Sequence, residues 1–280
     1  MDEKRRISVG EVLLSLLKAG CGLALFLGSQ LLVSVGAVTV VTLLHPELTA
    51  AELEARITAQ SPLIMVISGV LTLLAVVLFF LLRKQSPLRA VGLVPVEDRL
   101  VGTAAAITPA LYVVVTLAMA MIPEHLMESY DQASASLDGS DMLTMLATVF
   151  FAPLVEEIIF RGVIQSRLER VMPGWLACLL AALLFGLCHG QWIWMTYAFV
   201  MGFLFGRMRQ VTGSLLPSLV AHAVFNTIGF LLGAMTSEDS GGGIVLALLV
   251  LAIAFAVLVR GRIGELFGLR RNQMGKEDCP

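Results

Sequence analysis

Two adjacent carboxylates and an arginine interrupt an apolar stretch in the middle of the chain. Glu156 and Glu157 are followed by Arg161, and the apolar run around them begins near Met142. A charged side chain at the centre of a bilayer helix costs about 2.5–3.5 kcal/mol, so these three need partners, water or a function. On a helix, Glu157 and Arg161 share one face and can form an ion pair. Glu156 points about 100° away from Glu157 and gains no partner from its own helix, which makes it the first candidate functional residue.

Two further polar pairs interrupt apolar segments at helical spacing. Phe185 and His189 are four residues apart, and so are His222 and Asn226, so each pair shares one helix face. A carboxylate in a medium of low dielectric constant is a stronger general base, and a neighbouring histidine helps it to activate water. A second histidine and an Asn side-chain N–H can stabilise the oxyanion of a tetrahedral intermediate. Together these residue types indicate hydrolysis of a carbonyl compound.

The same side chains allow metal chemistry as well. Two histidines and a carboxylate, here His189, His222 and Glu156, can bind a divalent metal such as zinc and leave a coordination position for water. The chain lacks H-E-x-x-H, the helix motif of zinc proteases. The residue types alone leave both alternatives open, and no cofactor is favoured.

The composition is that of a membrane protein. The 280 residues are 58% hydrophobic and 14% charged, with a mean hydropathy of +0.88, whereas soluble domains are about 45–50% apolar and 25% charged. Several apolar runs reach the roughly 20 residues that cross a bilayer. We expect an all-α, polytopic membrane protein that forms a single domain over residues 1–280, with the bilayer as a partner and no nucleic acid.

Apolar runs separated by polar loops predict eight transmembrane helices, at about 19–44, 62–82, 100–122, 142–171, 175–187, 192–206, 214–235 and 244–259. With the N-terminus inside, every Lys and Arg except Arg56 falls at or near the cytoplasmic side. The positive-inside rule therefore predicts that both termini are cytoplasmic, with basic tails at 1–18 and 260–280. Because we find no organelle signal, we expect a multi-pass protein of a bacterial plasma membrane.

The fifth and sixth predicted helices are short. About 15 residues of helix span about 22 Å, less than the roughly 30 Å of the hydrocarbon core. We therefore expect the turn between them, which carries His189, to lie deep. The residues singled out above all fall in a core at 142–235.

The polar motifs, in this order, resemble the CPBP family of intramembrane proteases. These are CAAX proteases and bacteriocin-processing proteins, also called Abi proteins, and they are related to the type II CAAX prenyl endopeptidase. The resemblance covers about residues 150–233 and rests on Glu156-Glu157-x-x-x-Arg161, Phe185-x-x-x-His189 and His222-x-x-x-Asn226. It implies an eight-helix membrane fold with an active-site cavity between the fourth, fifth and seventh helices, open to the cytoplasmic side.

The resemblance also implies roles for the candidate residues. Glu156 and His189 would activate water, and His222 and Asn226 would stabilise the oxyanion. Both metal-dependent and metal-free glutamate mechanisms have been considered for the family. Asn226 favours the metal-free mechanism, because an amide suits an oxyanion site better than a metal shell.

Glu157, Arg161 and Phe185 are expected to support the site without taking part in the chemistry. We therefore predict an intramembrane endopeptidase that cleaves a membrane-associated peptide or lipidated protein, of the CAAX type or the bacteriocin-leader type. The alternative is a non-catalytic membrane scaffold or bacteriocin-immunity protein that binds a partner in the same cavity, since His and Asn often join membrane helices only through hydrogen bonds. A transporter fits less well, because the two halves of the chain show no inverted repeat.

Overall fold

The computed structural model describes residues 7–135, 141–235 and 262–268 of the chain. Within these ranges all regular structure is helical, which confirms the predicted all-α class. The helices are α1 (Val9–Leu44), α2 (Ala50–Ala59), α3 (Ser61–Leu82), α4 (Pro87–Val91), α5 (Asp98–Met119), α6 (Glu124–Ala135), α7 (Met142–Leu168), α8 (Gly174–Leu187), α9 (Trp192–Thr212) and α10 (Leu216–Met235). Residues 262–266 form one further helical turn.

Five of the described helices, α1, α3, α5, α7 and α10, are long and apolar enough to cross a membrane. The apolar helix α8 has 14 residues, close to the short length expected for it. The predicted eighth span at 244–259 lies outside the described residues, as do residues 1–6 and most of the C-terminal tail. The first predicted span, 19–44, is longer than expected, because α1 begins at Val9 with a capping box from Ser8 and includes most of the predicted tail 1–18. The total of eight spans and the cytoplasmic position of the termini stay predictions.

The expected second short helix is longer than predicted. Helix α9 continues to Thr212 and has 21 residues. Arg209, which we expected to end this helix, lies within it and is paired with Glu169, the residue that follows α7. The chain leaves the helix at Gly213, whose φ of +71° is a left-handed C-terminal cap.

Two polar segments that we expected to be loops contain helices. In α2, the Thr49 side chain accepts a hydrogen bond from the Glu52 N–H, and the Glu52 carboxylate accepts one from the Thr49 N–H. This reciprocal capping satisfies two backbone donors that would otherwise be free. The other polar segment, between α5 and α7, contains α6.

Helix α7 lies at the centre of the described part of the chain. The side chains of Ile159, Phe160 and Ile164 are completely buried, and they pack in a cluster that also contains Phe26 of α1, Phe80 of α3 and Phe185 of α8. The helix that carries the two adjacent glutamates is thus enclosed by its neighbours, whereas α1 exposes many Leu and Val side chains.

The backbone of α7 changes its hydrogen-bond pattern twice. Leu146–Phe151 and Glu157–Gln165 are π-helical, and Ala152–Glu156 between them is α-helical. Pro153 lies in the middle segment and has no N–H to donate. Short π-helical stretches are frequent at functional sites, and here Glu156 and Glu157 stand where the second one begins.

Candidate active site

The Glu157–Arg161 ion pair predicted from the spacing is present and buried. Arg161 Nη1 lies 3.1 Å from Glu157 Oε1, and each side chain is only 1% exposed. Arg161 Nη2 donates to the carbonyl oxygen of Gly202 at 3.1 Å, and the guanidinium carbon lies 4.3 Å from the centre of the Phe185 ring. Through this hydrogen bond and the cation–π contact, Arg161 joins α7 to α8 and α9.

His222 of α10 lies between the two glutamates. Its Nδ1 is 3.1 Å from Glu157 Oε1, and its Nε2 is 3.6 Å from Glu156 Oε2. The Glu157 carboxylate, held by Arg161, can only accept hydrogen bonds, so we assign the bonding proton to Nδ1. This hydrogen bond fixes the ring with Nε2 facing Glu156. Glu156, for which the sequence predicted no partner on its own helix, thus has the imidazole of His222 on α10 as its neighbour.

His189 follows the C-terminus of α8 and is half-buried. Its Nδ1 lies 2.9 Å from the carbonyl oxygen of Phe185, and the two rings meet edge to face with centroids 4.8 Å apart. Because a carbonyl oxygen only accepts, Nδ1 carries the proton, and Nε2 of the neutral ring is left with a free lone pair. The four-residue spacing of Phe185 and His189 therefore sets the orientation of the imidazole.

Asn226 of α10 donates from Nδ2 to the carbonyl oxygen of Thr148 at 2.9 Å. That carbonyl has no donor within α7. The Ala152 N–H, its α-helical partner, bonds to Ala147 instead, and Pro153, its π-helical partner, has no N–H. A carbonyl within a membrane-spanning helix requires a hydrogen-bond partner, and the Asn226 amide supplies it.

Five of the predicted site residues line one cavity of about 740 Å³: Glu156, Phe185, His189, His222 and Asn226. This volume lies within the usual range for ligand sites. Large aromatic side chains form much of the remaining wall: Tyr112, Trp194, Tyr197, Phe205 and Phe225. The wall includes α7, α8 and α10, which correspond to the fourth, fifth and seventh helices predicted from the sequence. Helices α5, α6 and α9 contribute to it as well.

Glu156 also borders a second cavity, of about 270 Å³, between α1, α2, α3 and α7. Met65 and Ala152 line both cavities as well, so these three residues form the wall between them. The second cavity has several polar side chains: Gln30, Ser34, Ser61, Ser68 and Thr72.

The candidate metal ligands line one cavity but do not converge. In the described ranges, no three His, Cys, Asp or Glu side chains lie close enough together to hold a metal ion. His222 Nδ1 is bonded to Glu157 and His189 Nδ1 to Phe185, so Nε2 is the nitrogen that each ring presents to the cavity.

A glycine pair on α9 was not among the residues singled out from the sequence. Arg161 bonds to the Gly202 carbonyl, and one turn further Gln165 Nε2 donates to the Gly206 carbonyl at 3.1 Å. A Cβ atom on Gly202 would lie 2.9 Å from Phe185 Cδ1 and 3.2 Å from Arg161 Nη2, and one on Gly206 would lie 2.8 Å from Gln165 Oε1. The sequence did contain a signal for this contact, because Gly202-x-x-x-Gly206 is a motif for close packing of membrane helices.

Comparison with known proteins gives a family match to this region. Residues 138–228, which include all three motifs, match the family model described as Type II CAAX prenyl endopeptidase Rce1-like. The match covers less than half of the chain; it confirms the resemblance that the motifs indicated and supports an intramembrane protease at family level.

A curated protein of Escherichia coli is also similar to this chain. It is described as an uncharacterized 24.3 kDa protein and is 32% identical over 97 residues. The match covers 33% of this chain and 45% of that protein, so less than half of the relative is spanned. No solved structure matches the chain.

Proposed function

We propose that the protein is an intramembrane endopeptidase that hydrolyses a peptide bond in a membrane-associated peptide or protein. The observation that carries this proposal is the position of Glu156. Its carboxylate lies near the middle of α7, lines the large cavity and has His222 Nε2 at 3.6 Å. This carboxylate is not tied to Arg161, which pairs with Glu157 instead, so it is available as a base.

Glu156 and His189 activate the water in this mechanism. The Glu156 carboxylate removes a proton as the water oxygen attacks the carbonyl carbon of the substrate. The free lone pair of His189 Nε2, on the wall of the same cavity, accepts a hydrogen bond from that water and orients it. The proton then passes to the leaving nitrogen as the peptide bond breaks.

Asn226 and His222 stabilise the oxyanion. One N–H of the Asn226 amide is used by Thr148, and the other can donate into the cavity. While the tetrahedral intermediate exists, His222 Nε2 holds the proton that Glu156 has taken from water and donates it in a hydrogen bond to the oxyanion; this is the proton that afterwards passes to the leaving nitrogen. Donors held in fixed positions before the reaction are effective because they need no reorganisation.

The cavity suits an apolar segment of a membrane-associated substrate. Aromatic side chains line much of it, and Glu156 is the charged residue in its described wall. A substrate of the CAAX type or of the bacteriocin-leader type would bury apolar side chains or a lipid chain against these rings, which is favourable in proportion to the area buried.

The direct test is cleavage by purified protein. We expect Glu156→Gln to lower turnover of a membrane-peptide library by about 10²–10⁴-fold, the usual contribution of a general base, while the exposed control Glu128→Gln on α6 retains it. Peptides that accumulate in cells carrying only the Glu156→Gln protein would identify the substrate. Equal turnover by wild type and Glu156→Gln would contradict the proposal and favour the scaffold or immunity alternative.

We also propose that the mechanism is metal-free. Dialysis of the purified protein against a strong chelator should leave turnover unchanged, and elemental analysis should find no stoichiometric metal. Loss of turnover that is restored by added zinc would show that the metal-dependent alternative is right.

A further inference from the structure

We propose that the large cavity opens to the non-cytoplasmic face of the membrane, so that the substrate is a peptide segment presented at the outer leaflet. Describing the occupant as a substrate rests on the proposed function. The side of the opening rests on the direction of the helices and the placement of Lys and Arg, and it can be measured without any activity.

The cavity extends from Glu156 toward one end of the helices only. On α7 its lining residues are Thr148, Ala152 and Glu156, which run from near the start of that helix to its middle. At the level of Glu156 the cavity is lined by His222 of α10 and Phe205 of α9, and from there its lining continues along α5, α9 and α10 toward the ends that lie beside the start of α7. Tyr130 and Ser134 of α6, the connection between α5 and α7, complete the wall at this end.

The opposite direction is closed by tight packing. A Cβ atom on Gly162 of α7 would lie 2.8 Å from the carbonyl oxygen of Val91 in α4, which shows how closely the backbones approach. Beyond it, the N–H of Leu215 donates to the Gly92 carbonyl at 2.9 Å. Leu215 is completely buried. A substrate therefore cannot reach Glu156 from this end without disrupting the core.

The closed end is the basic end of the molecule. The loop after α3, the end of α7 and the end of α9 carry basic residues: Arg83, Lys84, Arg167, Arg170, Arg207 and Arg209. At the open end, residues 120–141 and 187–194 contain no Lys or Arg, and Arg56 is the basic residue of 45–60. By the positive-inside rule the closed end faces the cytoplasm, and the cavity then faces away from it.

This conclusion changes the expected substrate. The family resemblance implied a cavity open to the cytoplasm, as a cytosolic lipidated CAAX protein would require. The direction of the cavity and the positions of the basic residues agree instead with a substrate that has already crossed the membrane, such as an exported peptide or the outer segment of a membrane protein.

Cysteine labelling of the full-length protein in membranes tests the proposal. In a background without the native cysteines, single variants report on three positions: Thr116→Cys in the cavity wall, Glu128→Cys on exposed α6 and Arg170→Cys at the basic end. A charged maleimide is added to intact cells and to inside-out vesicles. We expect the first two variants to react at least about tenfold faster in cells and Arg170→Cys at least about tenfold faster in the vesicles, because the bilayer core excludes charge.

The opposite pattern would overturn the proposal. So would a Thr116→Cys protein that reacts equally fast from both sides or from neither, since the cavity would then lack a water-filled outer opening. Ser134→Cys, in the cavity wall on α6, repeats the measurement at a site outside α5. If Glu156→Gln proves fully active, the protease assignment fails, but the labelling pattern still decides the side of the opening.

Discussion

At the scale of single residues, the orientation of His222 depends on a relay of contacts that starts at Arg161. Arg161 neutralises the fully buried Glu157, Glu157 accepts the hydrogen bond from His222 Nδ1, and this bond leaves Nε2 facing Glu156. Glu157 and Arg161 therefore position the imidazole that faces Glu156. Hydrogen bonds of this kind, one step away from the reacting atoms, commonly fix the tautomer of a histidine.

We predict that Arg161→Met destabilises the protein strongly. The variant leaves the Glu157 carboxylate buried without a counter-charge, so the free energy of unfolding should fall by about 3–5 kcal/mol. The double variant Arg161→Met/Glu157→Gln should recover most of this loss, because no uncompensated charge remains. Unfolding in detergent micelles measures both, with the exposed Arg170→Met as a control. If the double variant loses as much free energy of unfolding as the single variants Arg161→Met and Glu157→Gln lose when added together, the two residues do not form the pair.

Asn226→Asp should reduce kcat while leaving KM nearly unchanged. The substitution removes the amide N–H and places a carboxylate oxygen against the Thr148 carbonyl, so the donor to the oxyanion is lost. Removal of one such donor costs about 10²–10³ in kcat. Steady-state kinetics of Asn226→Asp and of the control Thr227→Val, whose hydroxyl bonds only within its own helix, would measure the difference. An unchanged kcat for Asn226→Asp would remove Asn226 from the mechanism.

At the scale of helices, the irregular backbone of α7 is what attaches α10 to it. The shift to π-helical bonding and the missing N–H of Pro153 leave the Thr148 carbonyl without its usual donors in α7. The Asn226 amide donates to this carbonyl instead. The interruption of the helix is therefore part of how the site is built, because a regular α-helix would have used that carbonyl internally.

The contact between α7 and α9 depends on the absence of side chains at Gly202 and Gly206. We predict that Gly202→Ala is destabilising by about 1–3 kcal/mol, the usual cost of overpacking, because the new methyl group would lie 2.9 Å from Phe185 Cδ1 and 3.2 Å from Arg161 Nη2. Gly102→Ala on α5, where nothing lies within 4 Å, is the matched control and should be neutral or slightly stabilising. Thermal unfolding in detergent compares the two, and equal midpoints would contradict close α7–α9 packing.

At the scale of the whole molecule, residues 262–268 pack against the core at the end of α9 that carries Arg207 and Arg209. Leu266 is completely buried in a cluster with Ile107 of α5 and Met208 of α9, and Arg99 Nη1 lies 3.6 Å from Glu265 Oε2. A segment more than 140 residues beyond the end of α5 in sequence thus packs against that helix.

We predict that Leu266→Ala lowers the free energy of unfolding by about 2–5 kcal/mol, as is usual for a buried Leu. The nearby exposed Arg262→Ala should have little effect. If both variants unfold at the same denaturant concentration as wild type, this segment does not contribute to the core in the way the structure shows.

Part of the site was determined by the sequence alone, because it depends on local geometry. The spacing of Glu157 and Arg161 places both side chains on one helix face, where they can pair, and apolar runs of membrane length predict an all-helical membrane protein in which such charges need partners. The same argument identified Glu156 as the carboxylate that its own helix leaves without a partner. The helices α2 and α6 and the full length of α9 were not predicted. A capping box starts α2, and Arg209, near the end of α9, pairs with the distant Glu169.

Only the tertiary structure decided which groups meet. The hydrogen bond of His222 to Glu157 joins residues 65 apart in sequence, and that of Asn226 to Thr148 joins residues 78 apart. Both depend on the rotation of α10 against α7 and on the π-helical register of α7, which no local periodicity specifies. The direction of the cavity likewise follows from how seven helices pack around Glu156, since the free energy of packing depends on all of them together.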